Sequence, residues 1–540
     1  MIVLGFHGGV TIGQHEPGAA LVVNGRVLAV CEEERYLRNK SSYGHLPYYS
    51  IKACLEIGGI SFDDIDLVVA TGITYDDHVD RISDYLRHTF GHCPKVELIH
   101  HQHAHLATSF YGSGFDSSLC LSLDATGDGS CGMLAHATKK DGIKILETIP
   151  TSNSLGYFYT LMTYYLGFSD GDEYKVMGLA PYGEPSYDLS KIVRPVDGGW
   201  EFQNTFVRSE PVVRSPFEPL YSEKVAELLG QPSRIPGSEM TEFHRNIARS
   251  TQAIMETCLL SVAKELKRRV PDESNLCYAG GIALNCSANR SLQNSGMFEN
   301  IHVSPLSSDR GLALGCAYMG AVSLGDTPWP LLDAYLGSSY SNDVIRAELE
   351  ANSVPFEEVD DPCAVAAGLL NEDKILGWYQ GRSEAGARAL GNRSIIAACG
   401  DATMRDKVNA RIKYREEFRP FAPSALHGQA DEYFRTDGVD YPYMCFTVDV
   451  HPEKADSIRA VAHVDNSARL QTVRSSNNEM YFDLIQKYQK LSDMPVILNT
   501  SFNLKGQPIV ETPRDALMTF YGCGLDALVL GNFIVRKDRA

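Results

Sequence analysis

The sequence predicts an α/β protein of two domains. Three observations carry this: apolar strand patterns alternate with helical stretches, a strand–glycine turn–strand unit occurs twice before residue 140, and the rhythm breaks at Thr327-Pro328-Trp329-Pro330. A fresh strand and helix series starts near Val344, so the boundary falls between 327 and 343, with domains at 1–335 and 340–540. A chain of 540 residues is too long for one ordinary core.

Composition narrows the class. With 44% hydrophobic and 22% charged residues the chain reads as globular. A net charge of -19 repels polyanions, which disfavours a nucleic-acid partner and favours a small-molecule substrate. Thirteen cysteines include no C-x-x-C pair, against zinc ribbons and a disulfide framework and for a reduced cytosol. The N-terminus lacks a basic n-region, so no signal peptide is expected. The least polar stretch, roughly Gly311 to Gly325, is too short and glycine-rich to span a bilayer. A soluble, cytoplasmic protein with no membrane partner is the expectation, and a homodimer is compatible with it.

In chain order, Ile2 to Phe6 reads as a strand, and Ala19–Val23 faces Arg26–Val30 across Asn24-Gly25, a pair suited to the positive φ of a type I′ hairpin. A helix over Ser50–Ile57 and a buried strand over Ile65–Ala70 follow. The second unit has a strand Leu119–Asp124, a Gly127-Asp128-Gly129 turn and a strand Cys131–Ala137. Such duplication is how nucleotide-binding folds of the actin/sugar-kinase/heat-shock-chaperone (ASKHA) class are built. A long helix over Gln252–Val270 and a strand over Asn275–Ala279 complete this half.

The most distinctive local signal is His100-His101-Gln102-His103-Ala104-His105. On a helix His101 and His105 project from one face a turn apart, as a shared metal requires. Alone, the pair is more often a surface or satisfied core cluster. Asp124 and Asp309, at strand–turn and strand–helix junctions, would complete a mixed N/O set suited to Fe(II), Mn(II) or Zn(II). The candidate nucleotide turns are Gly280-Gly281, opening Ile282-Ala283-Leu284-Asn285 after a strand, and Gly127-Asp128 from the other lobe, with Lys175 as a phosphate partner. Paired glycines also make ordinary tight turns, and a lysine is usually just solvated.

Between Arg382 and Arg419 nine basic residues face five acids, a local excess of four on an acidic chain. A solvated helix face accounts for Arg405, Lys407, Arg411 and Arg415. It does not account for Arg388 and Arg393 among Ala, Leu and Gly, or for Arg419 in Phe418-Arg419-Pro420-Phe421; buried guanidinium groups there ask for an anion. His463–Thr472 and Leu498–Asn503 add polar groups at predicted strand ends, suggesting a compact oxyanion pocket in the second domain.

These segments, with Glu33-Glu34-Arg35-x-x-Arg38-x-Lys40, Ser154-Leu155-Gly156-x-Phe158-Tyr159, Met177–Gly183, Ser308-Asp309-x-Gly311, Arg469-x-Gln471-Thr472-Val473 and Asn499-Thr500-Ser501-Phe502-Asn503, make the whole chain resemble the NodU/CmcH/TobZ O-carbamoyltransferases. The resemblance implies an N-terminal ASKHA-type domain similar to the tRNA threonylcarbamoyl transferases and a C-terminal YrdC-like domain. The latter would turn carbamoyl phosphate and ATP, with Mg2+, into carbamoyl adenylate. The former would transfer the carbamoyl group to a small-molecule alcohol of natural-product type at an iron-type metal. Carried over by position, His101, His105, Asp124 and Asp309 hold the metal. Arg388, Lys413, Arg419, Arg469, Asn499 and Ser501 hold carbamoyl phosphate, with Arg388, Lys413 and Arg419 also acting in catalysis. His15 serves as general base or hydrogen-bond donor. Gly127, Asp128, Lys175, Gly280, Gly281 and Asn285 remain the nucleotide candidates. The sequence departs from the family at Ala387 (often Pro), Asn466 (often Gly) and Glu16 (usually Asp).

The rival readings are a tRNA threonylcarbamoyladenosine synthase, which would want a basic RNA face, a hydrogenase-maturation carbamoyltransferase, which would carry C-x-x-C motifs, and a catalytically silent ASKHA-type binding subunit. The acceptor pocket is expected to draw on loops such as Asn204–Met240.

Overall fold

The computed structural model describes residues 1–9, 14–207 and 223–537. The chain forms two compact units that interleave along the sequence. The first comprises Met1–Thr71, Asp77–Leu98 and Asp309–Ala540, the second Gly72–Asp76 and Ile99–Ser308.

Two large sheets and a two-stranded one, Thr447–Asp449 with Ser467–Arg469, build the first unit among the described residues. One is five-stranded, in the order Arg26–Glu32, Gly18–Val23, Ile2–His7, Leu67–Thr71, Lys95–Ile99. The hairpin forms where Asn24-Gly25 predicts it, with φ of 50° and 78° at these two residues. Leu4, Phe6, Leu21 and Val68 point into a core closed by the helix Tyr48–Gly58. The helix Leu312–Ser323 packs on the strand Ile2–His7. It is apolar on all sides and almost wholly buried, which is why its sequence looks membrane-like without being long enough to span. Among the described residues no helix is long and apolar enough to cross a membrane.

The other large sheet of this unit has eight strands, all from residues 357–536. At its centre Arg393–Ala397 and Ala422–Leu426 pair antiparallel with Val496–Ser501, and Ala422–Leu426 runs parallel to Gln471–Val473. Trp378, Ile396 and Ile497 meet Leu484 and Ile485 of the helix Glu479–Ser492 in its core. Contacts across residues 327–343 bind this sheet to the first one. Val30 N–H donates to the Leu336 carbonyl, and Arg382 Nη2 reaches the Leu28 carbonyl at 2.8 Å and that of Leu336 at 2.6 Å.

The second unit has a five-stranded sheet in the order Asn300–Val303, Asn275–Ala279, Ser117–Gly127, Ser130–Thr138, Gly142–Pro150. Three consecutive strands form a meander and two later strands add beside its first strand, as in the five-stranded sheet of the first unit. The shared topology is the internal duplication of an ASKHA-type fold. The long helix runs over Glu242–Arg269 and so starts ten residues before the sequence expectation, because Thr241 and His244 form a capping box there.

Packing of Leu312–Ser323 depends on the missing side chain at Gly5: an added Cβ would lie 1.7 Å from the Ala313 carbonyl oxygen. Gly5→Ala is expected to destabilise the protein by about 1–3 kcal/mol through overpacking. A urea midpoint equal to that of the unmodified protein would contradict this packing.

Candidate functional site

The second unit gathers its polar chemistry at the N-terminus of the helix His101–Ser113. His100 caps the helix, its ring accepting the Gln102 N–H at 3.1 Å. His101 and His105 then fall on one face, both buried, with ring centroids 4.9 Å apart. Asp124, in the strand Ser117–Gly127 where its pairing with Ser130–Thr138 shifts register, brings Oδ2 to 2.9 Å from His105 Nε2 and 3.7 Å from His101 Nε2. Donor atoms of these three side chains lie within 4.8 Å of one another.

Two neighbours make room for this cluster. A Cβ at Gly127 would sit 2.2 Å from His101 Cγ, and one at Gly281 would sit 2.9 Å from Asp124 Oδ1. Asp128 holds the helix in place: its carboxylate accepts the N–H of His101 at 2.8 Å, the N–H of Gly72 at 3.1 Å and the Thr74 hydroxyl at 2.9 Å. Burial works to raise its pKa, but these donors prevail and hold it below the ordinary aspartate range. Two buried imidazoles and one half-buried carboxylate, convergent, fit a borderline divalent cation of the Fe, Mn or Zn type.

The nucleotide candidates also lie in this unit. Gly280 has φ 90° and packs against Leu123, where a Cβ would stand 2.1 Å from the carbonyl oxygen. Asn285 caps the helix Cys286–Asn294 and exchanges hydrogen bonds with Gln252, which also accepts from the Tyr159 hydroxyl. Lys175 Nζ bonds Asp172 at 2.8 Å and lies over the Phe168 ring. Of the Asn204–Met240 segment expected near the acceptor, residues 208–222 lie outside the described residues.

In the first unit Asp309 opens the turn before Leu312–Ser323, one peptide bond after the last residue of the second unit. His15 and His7 bring Nε2 to 3.7 and 3.9 Å from its Oδ2. His7 is buried, tied to Thr71 Oγ1 and the His15 carbonyl, whereas His15 is 42% exposed in its side chain.

The eight-stranded sheet explains how distant basic residues converge. The strands Arg393–Ala397, Ala422–Leu426 and Gln471–Val473 all begin at the sheet end where Val496–Ser501 finishes, so Arg388, Arg419 and Arg469 approach it with Ser501. Lys413 is buried there, and its ammonium donates to Asn503 Oδ1 at 2.7 Å and to oxygens of Ser501. Burial first, then the charges of Arg415 and Arg419, press its pKa well below the usual lysine range. Asn499 donates to Ser424 Oγ, Gln471 Oε1 and the Ala389 carbonyl.

One arginine of the basic island has another role. Arg393 is fully buried, but its guanidinium donates to the carbonyls of Gln380, Asn392, Gly381 and Ser338 and stacks 3.7 Å from the Tyr379 centroid. It ties the start of a central strand to the backbone around residues 380 and 338, and the local sequence could not show this because its partners are backbone oxygens. A residue that sequence reading passed over is Glu384. One carboxylate oxygen accepts the N–H groups of Leu390, Asn392 and Arg393, shaping the loop that carries Arg388.

Gly127→Ala is expected to weaken divalent-metal binding by about 10–100-fold, the usual effect of disturbing a ligand's support, by displacing the His101 ring. Titration with Co(II) checks this, and unchanged affinity would show that the ring position does not matter.

A family profile described as Carbamoyltransferase N-terminus matches residues 82–318, and one described as Carbamoyltransferase C-terminus matches 367–537. The chain is 35% identical over 557 residues to nodulation protein NolNO of Sinorhizobium fredii, covering 97% of this chain and 79% of the relative. It is 29% identical to 3'-hydroxymethylcephem-O-carbamoyltransferase of Streptomyces clavuligerus, covering 73% of this chain and 72% of that protein. Among solved structures, the activator of 2-hydroxyisocaproyl-CoA dehydratase from Clostridium difficile aligns at 15% identity with a TM-score of 0.34, covering 60% of this chain and 95% of that one. With both halves matched in order and a relative aligned over 97% of this chain, this chain is a transferase that belongs to the carbamoyltransferase family.

Proposed function

We propose that the protein is an ATP-dependent O-carbamoyltransferase working in two steps. The observation that carries this reading is the His101–His105–Asp124 cluster, in a member of this family whose second half buries Lys413 among oxygens of Ser501 and Asn503. In the first step carbamoyl phosphate, ATP and one water give carbamoyl adenylate, pyrophosphate and phosphate. Arg388, Lys413, Arg419 and Arg469 neutralise the phosphate oxygens, while Asn499 and Ser501 orient the carbamoyl end. In the second step the hydroxyl of a small-molecule, natural-product-like alcohol attacks the carbamoyl carbon and AMP leaves.

His101, His105 and Asp124 bind the divalent metal, and the family resemblance adds Asp309 as fourth ligand. A cation held there supplies Lewis acidity toward the carbamoyl oxygen. His15 accepts the acceptor's proton or donates a hydrogen bond to it; the Asp309 carboxylate 3.7 Å away supports either state. Gly127, Asp128, Gly280, Gly281 and Asn285, with Lys175, form the nucleotide-binding side of the second unit, and the C-terminal sheet is the YrdC-like, carbamoyl-phosphate-binding part.

His101→Ala should abolish carbamoyl transfer while leaving carbamoyl-phosphate-dependent pyrophosphate release intact, and loss of both together would sink the two-site division. Arg419→Ala should block that release; normal release from this variant would remove it from the pocket. Because the Lys413 pKa is depressed, its charge is present below that pKa and lost as pH rises through it, earlier than in a free lysine. The KM for carbamoyl phosphate should therefore climb with pH at values below the ordinary lysine range, and less so in Lys413→Arg. A flat profile for the unmodified protein would exclude Lys413 as an anion ligand.

A further inference from the structure

The Glu-Glu-Arg run after the third strand has no part in the chemistry above, yet it is among the most buried charged segments of the first unit. Glu32, Glu34 and Arg35 are each exposed by 5% or less. Arg35 Nε lies 3.4 Å from Glu32 Oε2 and 3.8 Å from Glu34 Oε1. The same acids reach a second arginine, with Arg310 Nε 3.1 Å from Glu32 Oε2 and Nη2 3.3 Å from Glu34 Oε2, while Arg310 Nη1 pairs with Glu16. Three carboxylates and two guanidinium groups thus share one buried cluster.

Its outer contacts lead to two places. Arg310 adjoins Asp309, and Glu16 adjoins His15, so one side of the cluster fixes the residues assigned to transfer. On the other side both backbone groups of Gly386 are gripped: its N–H donates to Glu32 Oε1, and its carbonyl accepts from Arg35 Nη2 at 2.7 Å. Gly386 has φ 104°, a conformation open to glycine, and stands two residues before Arg388. From the same segment Arg38 donates to the carbonyls of Ile509 and Pro508 and lies 3.5 Å from Asp515. The Val510 N–H in turn bonds the Phe502 carbonyl, next to Ser501.

Burying so many charges costs several kcal/mol per ion before pairing, and an apolar filling would often be as stable. What the ions add is direction, because each arginine must satisfy two carboxylates at once. We propose that the Glu32–Glu34–Arg35–Arg310 network is a positioning device that sets Asp309 and the Arg388 loop jointly, so that the metal-binding and carbamoyl-phosphate-binding geometries depend on each other. This rests on the two-step reading above.

The test uses the full-length protein with Co(II) as metal probe and carbamoyl phosphate with ATP as substrates. Arg310→Lys should weaken Co(II) binding about tenfold, the lower end expected when a ligand loses its support. Arg35→Lys should raise the KM for carbamoyl phosphate in pyrophosphate release and, acting through Glu32 and Glu34, also weaken Co(II) binding. The double variant should lose less than the product of the two single effects on Co(II) affinity. Glu34→Gln, of equal size, should weaken Co(II) binding in the same direction if the lysine variants do not fold. Folded variants that keep wild-type KM and Co(II) affinity would overturn the proposal, as would a fall in kcat alone. So would independent, multiplicative effects. If the unmodified protein releases no pyrophosphate with carbamoyl phosphate, the underlying reading fails instead, and the proposal with it.

Discussion

Asp128 lays its carboxylate across the first turn of the helix His101–Ser113 and collects three N–H and hydroxyl donors from two separate segments. The helix N-terminus carries unsatisfied N–H groups and a partial positive charge, so an anionic acceptor there is favourable. The consequence is positional. Once that turn is fixed, His101 and His105 have one direction to face, and it is the direction of Asp124. The glycines at 127 and 281 then let the strand and the Gly280 turn come close enough to complete the cluster. The placement of this cluster depends on a carboxylate outside it and on two absent side chains.

The first unit solves the opposite problem, holding positive charges together. Guanidinium and ammonium groups repel one another, and nothing in a β-sheet interior compensates for that. The strand order brings the segments that carry Arg388, Arg419 and Arg469 toward one end of the sheet and leaves the buried Lys413 among oxygens of Ser501 and Asn503.

Features with local causes were legible in the sequence. Asn24-Gly25 dictates its hairpin through φ, the His101/His105 spacing dictates a shared helical face, and the strand at Asn275–Ala279 ends where Gly280 must turn. Features whose partners are remote were not. Arg388 and Arg393 look alike in sequence, five residues apart among small residues. The structure separates them by giving Arg393 four carbonyls and a tyrosine ring. Likewise the glycine at 127 reads as a turn former, while its neighbour in space is an imidazole 26 positions earlier.

The same remoteness applies to the Glu-Glu-Arg run, whose spacing fits a solvated helix start. Glu32 ends a core strand and Glu34 comes two residues later, so both enter the protein before the helix can turn them outward. Buried there, they must find cations, and the nearest available are Arg35 and an arginine some 276 residues later. An ion network formed under that constraint cannot be read from either segment alone. It also cannot relax at one end without disturbing the other, because Glu32 and Glu34 are each shared between the two guanidinium groups. Sharing of this kind is what would let a single turn of helix keep a metal ligand and an anion-binding loop in register.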